Sequence, residues 1–231
     1  MGRFLSKMIN LRKMERLNPV ISEIKVHSPK HGDLLRGRNI MEILETYERC
    51  KSAGISYITE KNHFRGDFEI FREICRESVL PVLRKDFIVT WEEIERTAEA
   101  DGNAVLLIAR ILKENTAEFV DFSLEHGIES VVEVHSIDDI NFALESRTPI
   151  IGINNRDIAV LEKDDGSVDV TANLAPLIKS KAVKISESGI RSREDVDLAL
   201  RYADAVLVGT AFMMADDIEK KVLEFVGDGN A

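Results

Sequence analysis

Short runs rich in β-branched and aliphatic residues recur along the chain at 20–26, 55–60, 81–85, 104–109, 130–134, 149–154, 182–187 and 204–209. Between them lie stretches with apolar residues at helical spacing, among them 40–53, 91–100, 116–126 and 191–202. Three helix starts carry the capping-box pattern: Thr90 with Glu93, Ser136 with Asp139, and Ser192 with Asp195. The apolar runs are nearly continuous rather than alternating, as strands covered on both faces should be. Eight such strand–helix units in 231 residues predict a (β/α)8 barrel. No Pro/Gly/Ser-rich linker divides the chain, so one domain over 1–231 is expected, with 1–19 as a short N-terminal helical extension capping it. An open doubly wound sheet would ordinarily carry a Gly-rich fingerprint after its first strand, and neither GxGxxG nor a Walker A sequence occurs.

Charges break this apolar pattern at one recurring place. Glu23 and Lys25 stand two apart in Val20-Ile21-Ser22-Glu23-Ile24-Lys25-Val26, so at the period of a strand they share a face. Burying both costs several kcal/mol unless they are paired or hydrated. Solvated charges at a strand end are the plainer explanation for one such case. The pattern continues, however: Thr59-Glu60, Lys85-Asp86, Glu133, Asn154, Glu187-Ser188-Gly189 and Gly209-Thr210 close six further strands. Barrel active sites lie at the C-terminal ends of the strands, so seven of eight strands supply polar groups to one rim. Ser188-Gly189 and Gly209-Thr210 offer hydroxyls and unhindered backbone N–H groups where loops enter helices, after the two strands that often build a phosphate site. If they hold phosphate, Gly209→Val should weaken binding more than it alters the chemical step. Phe64 and Phe87 follow strand ends and could wall the rim, although an isolated Phe more often anchors a loop. His27 and His31 have a spacing compatible with a metal but lack a convincing third ligand, so no metal is expected.

Composition narrows the partners. A net charge of −10 and a pI near 5.1 argue against nucleic acid and anionic membranes, and an anionic substrate would need a local basic site. The longest apolar run, Ala104 to Ala109, is far too short to span a bilayer. There is no apolar leader core, and a cytoplasmic location is expected. Met1-Gly2-Arg3-Phe4-Leu5-Ser6 matches a loose acylation pattern, but the basic run to Arg16 reads more simply as a helix. Cys50 and Cys75, without CxxC spacing, are expected as free thiols.

From Val20 onward the motifs resemble those of the indole-3-glycerol-phosphate synthase family, in the same order. They are Ser22-Glu23-Ile24-Lys25 with Ser28-Pro29, Thr59-Glu60 with Phe64, Pro81 to Ile88, Val105-Leu106-Leu107-Ile108, Val132-Glu133-Val134, Ile151 to Asp157, Ile185 to Ile190, and Val208-Gly209-Thr210. The resemblance implies a cofactor-free carboxy-lyase of tryptophan biosynthesis. Its substrate would be a small anion carrying phosphate and carboxylate, and the protein a monomer or weak homo-oligomer. It also implies Lys85 as general acid, Glu133 as general base, and Lys25 holding phosphate and developing oxygen charge. Glu23 and Glu187 would orient the lysines, Asn154 would bond the substrate, and Ser188 would complete the catalytic set. Ser28 and Pro29 would lie near the substrate carboxylate, with Phe64, Phe87 and Leu106 walling the ring. Arg156, Gly189, Gly209 and Thr210 would line the phosphate side with Ser188.

Three departures from the family pattern stand out. Only 19 residues precede Val20, Lys30 replaces the common Ser after Ser28-Pro29, and Asn103 stands where an acidic residue is usual. Another phosphate-binding barrel, an isomerase or aldolase, would share the last two loops but would not need Glu23, Lys25, Lys85 and Glu133 together. A binding-only descendant would typically have lost one of these proton-transfer residues.

Overall fold

Val20–Ile24 (β1) is buried at every position, because one face meets the barrel interior and the other a helical shell. In the computed structural model, which describes residues 3–156 and 166–227, seven further strands follow. They are β2 Gly54–Ile58, β3 Val82–Lys85, β4 Ala104–Ile108, β5 Glu129–Val134, β6 Ile150–Asn154, β7 Val183–Glu187 and β8 Ala205–Val208. All pair in parallel with their chain neighbours, and β8 returns to β1, with Val20 opposite Val206, so the sheet closes as an eight-stranded barrel. The predicted strands are all present, with ends displaced by one or two residues.

Eleven helices are described: α1 Leu5–Met14, α2 Ile40–Arg49, α3 Phe68–Glu77, α4 Trp91–Glu99, α5 Ala109–Leu112, α6 Thr116–Glu125, α7 Ile137–Ser146, α8 Asp169–Leu174, α9 Arg193–Ala199, α10 Thr210–Met214 and α11 Ile218–Val226. Their apolar faces pack on the outward strand residues, as Tyr47, Phe71, Phe212 and Phe225 do with Ile24 and Tyr57. On the other side of the barrel Val120 and Ile140 meet Val105, Leu107, Val132 and Ile153. A third cluster fills the interior: Ile21, Leu83, Leu106, Val131, Ile150, Ile185 and Leu207 point inward, joined by Leu5 and Ile9 of α1. Helix α1 therefore plugs the end of the barrel remote from the polar rim. Ser6 fixes it there, its backbone N–H donating to Glu129 Oε2 at 3.1 Å and its hydroxyl bonding the same carboxylate.

Local differences from the sequence reading have local causes. The first strand stops at Ile24 rather than 26, and His27–Ser28 pairs antiparallel with Gly32–Asp33 in a small ribbon. Capping boxes form at Thr90/Glu93 and Ser192/Asp195. The second explains why α9 begins at Arg193 instead of 191. At Ser136 only half the box forms: its Oγ accepts from Asp139 N at 3.2 Å, but the Asp139 carboxylate accepts from His135 N at 2.8 Å, one residue further back. Cys50 and Cys75 are buried free thiols, and burial pushes Cys75 up to about 12. No described helix is long and apolar enough to cross a membrane. Asp157 of the motif series and the Met1-Gly2 pair lie outside the described residues.

Candidate active site

The alternation that puts Ile21 in the interior core puts Glu23 one step nearer the rim, and Lys25 follows at the strand's end. On β3 the same alternation separates two neighbouring cations. Lys85 turns inward, whereas Arg84 turns outward and is held by Thr59 Oγ1, Glu93 O and Thr97 Oγ1, each at 3.0 Å. Glu133, Asn154 and Glu187 follow the inward residues Val131, Ile150 and Ile185 of their strands.

These side chains form a connected ionic cluster. Lys85 Nζ lies 3.0 Å from Glu187 Oε2 and 3.7 Å from Glu23 Oε2. Lys25 Nζ lies 3.4 Å from Glu23 Oε1 and donates to Thr210 Oγ1 at 3.4 Å. Asn154 Nδ2 donates to Glu133 Oε2 at 3.1 Å. Glu23, Lys25, Glu133 and Glu187 are all buried. Each buried ion costs several kcal/mol before pairing repays it, and apolar residues would pack here more cheaply, so stability does not account for the cluster.

Burial works against the Lys85 ammonium, but Glu187, Glu23 and Glu133 outweigh it, and the amine is held charged above the usual lysine range. The carboxylates pay mutual costs. Burial, reinforced by Glu133 and only partly offset by Lys85, pushes Glu187 up to about 7. Burial also raises Glu133, against Lys85, Asn154 and Arg110. The cluster thus holds a proton donor that stays charged beside two carboxyls whose hold on a proton is raised by burial, Glu187 to about 7.

Two glycines make room for it. A Cβ on Gly152 would sit 2.0 Å from Glu187 Oε1, and one on Gly209 would sit 2.3 Å from Glu23 Oε1. The third dimension was needed to see this, although Gly inside a strand is a general sign of close approach.

Beyond the cluster, Ser188 and Gly189 both have positive φ, 67° and 72°. For serine this is an uncommon conformation, here fixed from outside. Asn155 Nδ2 donates to Ser188 O and to Ser186 Oγ, both at 3.0 Å, while its Oδ1 accepts from the backbone and hydroxyl of Thr171. The resulting turn faces Gly209 and the first residue of α10, Thr210, across a cleft also walled by Glu23, Lys25, Lys85 and Arg156. Lys30, His31 and Arg191 join this wall, so the cleft is cationic although the chain is acidic. An anion is drawn to such a place.

The family model for indole-3-glycerol phosphate synthase matches residues 5–225. The chain belongs to this family. It is 58% identical over 209 residues to the indole-3-glycerol phosphate synthase of Pyrococcus abyssi, covering 90% of this chain and 91% of that one. It is 40% identical over 225 residues to the synthase of Methanocaldococcus jannaschii, covering 96% and 82% respectively. Among solved structures, a tryptophan synthase alpha-subunit from Pyrococcus furiosus superposes with a TM-score of 0.68 at 15% identity, covering 90% of this chain and 98% of that one, a likeness of fold alone.

Against the set of residues taken from the synthase resemblance, the cleft unites Glu23, Lys25, Lys85, Arg156, Ser188, Gly189, Gly209 and Thr210. Asn154 and Glu133 adjoin it as a bonded pair, and the Asn154 Oδ1 accepts from Arg156 N at 3.0 Å. Phe64 is buried with its ring 5.7 Å from Lys25 Nζ, while Leu106 is buried and Phe87 half-buried against the interior core. Ser28 is buried, with Oγ accepting from Lys30 N at 3.2 Å, and Pro29 follows it at the tip of the ribbon. These five do not line the cleft itself. Glu60, one of the rim charges, builds a loop. Burial would raise it, but the N–H groups of His63, Asn62 and Phe64 hold it below the usual carboxylate range, and the loop they form carries Phe64. Gly152, Lys30, His31 and Arg191 escaped the sequence reading as site residues.

The close approach at Gly209 changes what its substitution should do. Even Gly209→Ala must displace the Glu23 carboxylate, which faces both lysines. A displacement of about 1 Å can cost 10²-fold, so kcat should fall together with affinity rather than affinity alone. Steady-state kinetics check this, and an unchanged kcat with a raised KM would restore the simpler view of Gly209 as a phosphate contact.

Proposed function

We propose that the protein converts 1-(2-carboxyphenylamino)-1-deoxy-D-ribulose 5-phosphate to indole-3-glycerol phosphate, carbon dioxide and water. The observation that carries this reading is the buried Lys25–Glu23–Lys85–Glu187 chain opening on a cationic cleft. Ring closure needs the ribulose carbonyl made electrophilic toward the ring carbon that bears the carboxylate. Lys85, kept charged by three carboxylates, donates a proton to that carbonyl oxygen as the carbon–carbon bond forms. Loss of carbon dioxide then returns electrons to the ring. The hydroxyl takes a second proton from an acidic group of the cluster and leaves as water, and Glu133 takes the proton whose loss completes the aromatic indole.

Glu23 and Glu187 hold the two ammoniums apart and aimed into the cleft. Lys25 meets developing oxygen charge and the phosphate, which rests against Ser188, Gly189, Gly209 and Thr210 with Arg156 at its side. Asn154 bonds the substrate as well as Glu133. Ser28 and Pro29 lie toward the substrate carboxylate, and Phe64, Phe87 and Leu106 flank its ring. The enzyme works in the cytoplasm without cofactor, as a monomer or weak homo-oligomer, and its acidic surface favours neither nucleic acid nor membrane. Much of the acceleration comes from holding a flexible substrate folded on itself.

Incubating the purified protein with the carboxyphenylamino ribulose phosphate and following indole fluorescence tests the reading directly. Absence of product from folded protein sinks it. The pH profile tests the cluster separately. Because Glu187 takes up its proton near pH 7, acidification removes the closest counter-charge of Lys85. Activity should therefore rise with pH through about 7, and Glu187→Gln should lack that limb. A wild-type profile flat across this range contradicts the assignment.

A further inference from the structure

Inward-facing alternation on β5 does not stop at Glu133. Two residues on, His135 stands at the next inward step, just past the strand's end, with its side chain only 4% exposed. Its Nε2 lies 3.4 Å from Glu133 Oε1, while Asn154 holds the other carboxylate oxygen at 3.1 Å. The ring is in turn placed from α7. Asp139 accepts the His135 backbone N–H at 2.8 Å, with the same oxygen 3.9 Å from the ring Nδ1 and 3.5 Å from Arg110 Nε of α5. This is the incomplete capping box of the fold: the carboxylate that should have closed on Ser136 reaches back to His135 instead.

We propose that His135 is a positioning residue for the general base, fixing the Glu133 carboxylate from the side opposite Asn154, and that Asp139 and Arg110 fix His135. The inference rests on Glu133 being the base. A carboxylate gripped at one oxygen can still swing about its last bond, whereas one bounded at both presents a fixed lone pair to the substrate. At 3.4 Å the two atoms are in contact range, and catalytic hydrogen bonds are often long or poorly aligned before substrate binds and tighten when it does. Among the described residues, charged groups that face this histidine and its carboxylate partners include Glu133, Asp139, Arg110 and, through Glu133, Lys85.

The test combines substitutions at the two positions. His135→Leu should lower kcat by roughly 10-fold to 10²-fold with little change in KM, the size expected when a reacting group is slightly misplaced. His135→Asn, too short to reach Glu133, should behave alike, while His135→Gln, which carries an amide near the position of Nε2, should recover most of the rate. Acting through Glu133, His135→Asn should add little in a Glu133→Gln background, because residues in one chain of contacts are non-additive. Wild-type kcat in His135→Asn overturns the proposal, as does an equal fold-loss in both backgrounds or a Gln variant no better than the Asn one. Should Glu133→Gln itself turn over normally, the base assignment fails, a result that the His135 variants cannot mimic.

Discussion

Lys85→Met is expected to lower kcat by roughly 10²-fold or more, the loss typical of a missing general acid, while substrate still binds through its phosphate. Methionine keeps much of the volume and removes only the charge. In the wild-type protein that charge is shared among Glu187 at 3.0 Å, Glu23 at 3.7 Å and, at longer range, Glu133. Removing it takes away the counter-charge closest to Glu187, so that carboxyl will be easier still to protonate. The cleft's phosphate end is built from other residues, Ser188, Gly189, Gly209 and Thr210, and should survive. Single-turnover measurements should show carbon dioxide release blocked along with indole formation, because ring closure precedes both. Wild-type-like turnover in this variant would remove Lys85 from the mechanism. Lys25, paired to Glu23 at 3.4 Å, would then be the remaining ammonium in the cluster able to serve.

The barrel was legible because its strands are covered on both faces and each announces itself as an apolar run. The active rim was legible for the converse reason. A charge inside an apolar run is costly enough that Glu23, Lys25, Lys85, Glu133 and Glu187 stand out one by one, and strand order brings them together. Other features left no such trace. Arg84 and Lys85 are adjacent cations, and only the strand's alternation, seen in place, sends one to a helix and the other to the cleft. Glu60 has the same rim position as its neighbours yet spends its oxygens on loop N–H groups, a distinction of direction rather than of residue type. Gly152 and Gly209 matter through the carboxylates of other strands pressing on them, contacts between residues 35 and 186 positions apart along the chain. The N-terminal segment read as a capping helix from its own composition, but its role as a plug depends on Leu5 and Ile9 meeting inward residues of several strands.

Glu133→Gln is expected to separate two steps that the wild-type enzyme runs together. Proton donation, ring closure and decarboxylation precede the loss of the last proton, and none of them needs a base at Glu133. The amide keeps the shape of the carboxylate and can still meet Asn154, but it cannot accept the proton whose departure restores aromaticity. Loss of a general base costs roughly 10² to 10⁴-fold, and here that cost should fall on dehydration. The position suits the role: burial raises the carboxyl above the ordinary range, so proton uptake is favoured, while Lys85, Asn154 and Arg110 keep the anion accessible. In a single turnover, carbon dioxide should therefore appear ahead of indole, with a decarboxylated intermediate accumulating between them. The lysine variant forbids that order, since it stalls before the carboxylate leaves. Carbon dioxide and indole rising in step in Glu133→Gln would mean that the proton is taken elsewhere. Glu187, whose carboxyl is pushed up to about 7, would then be the next base to test.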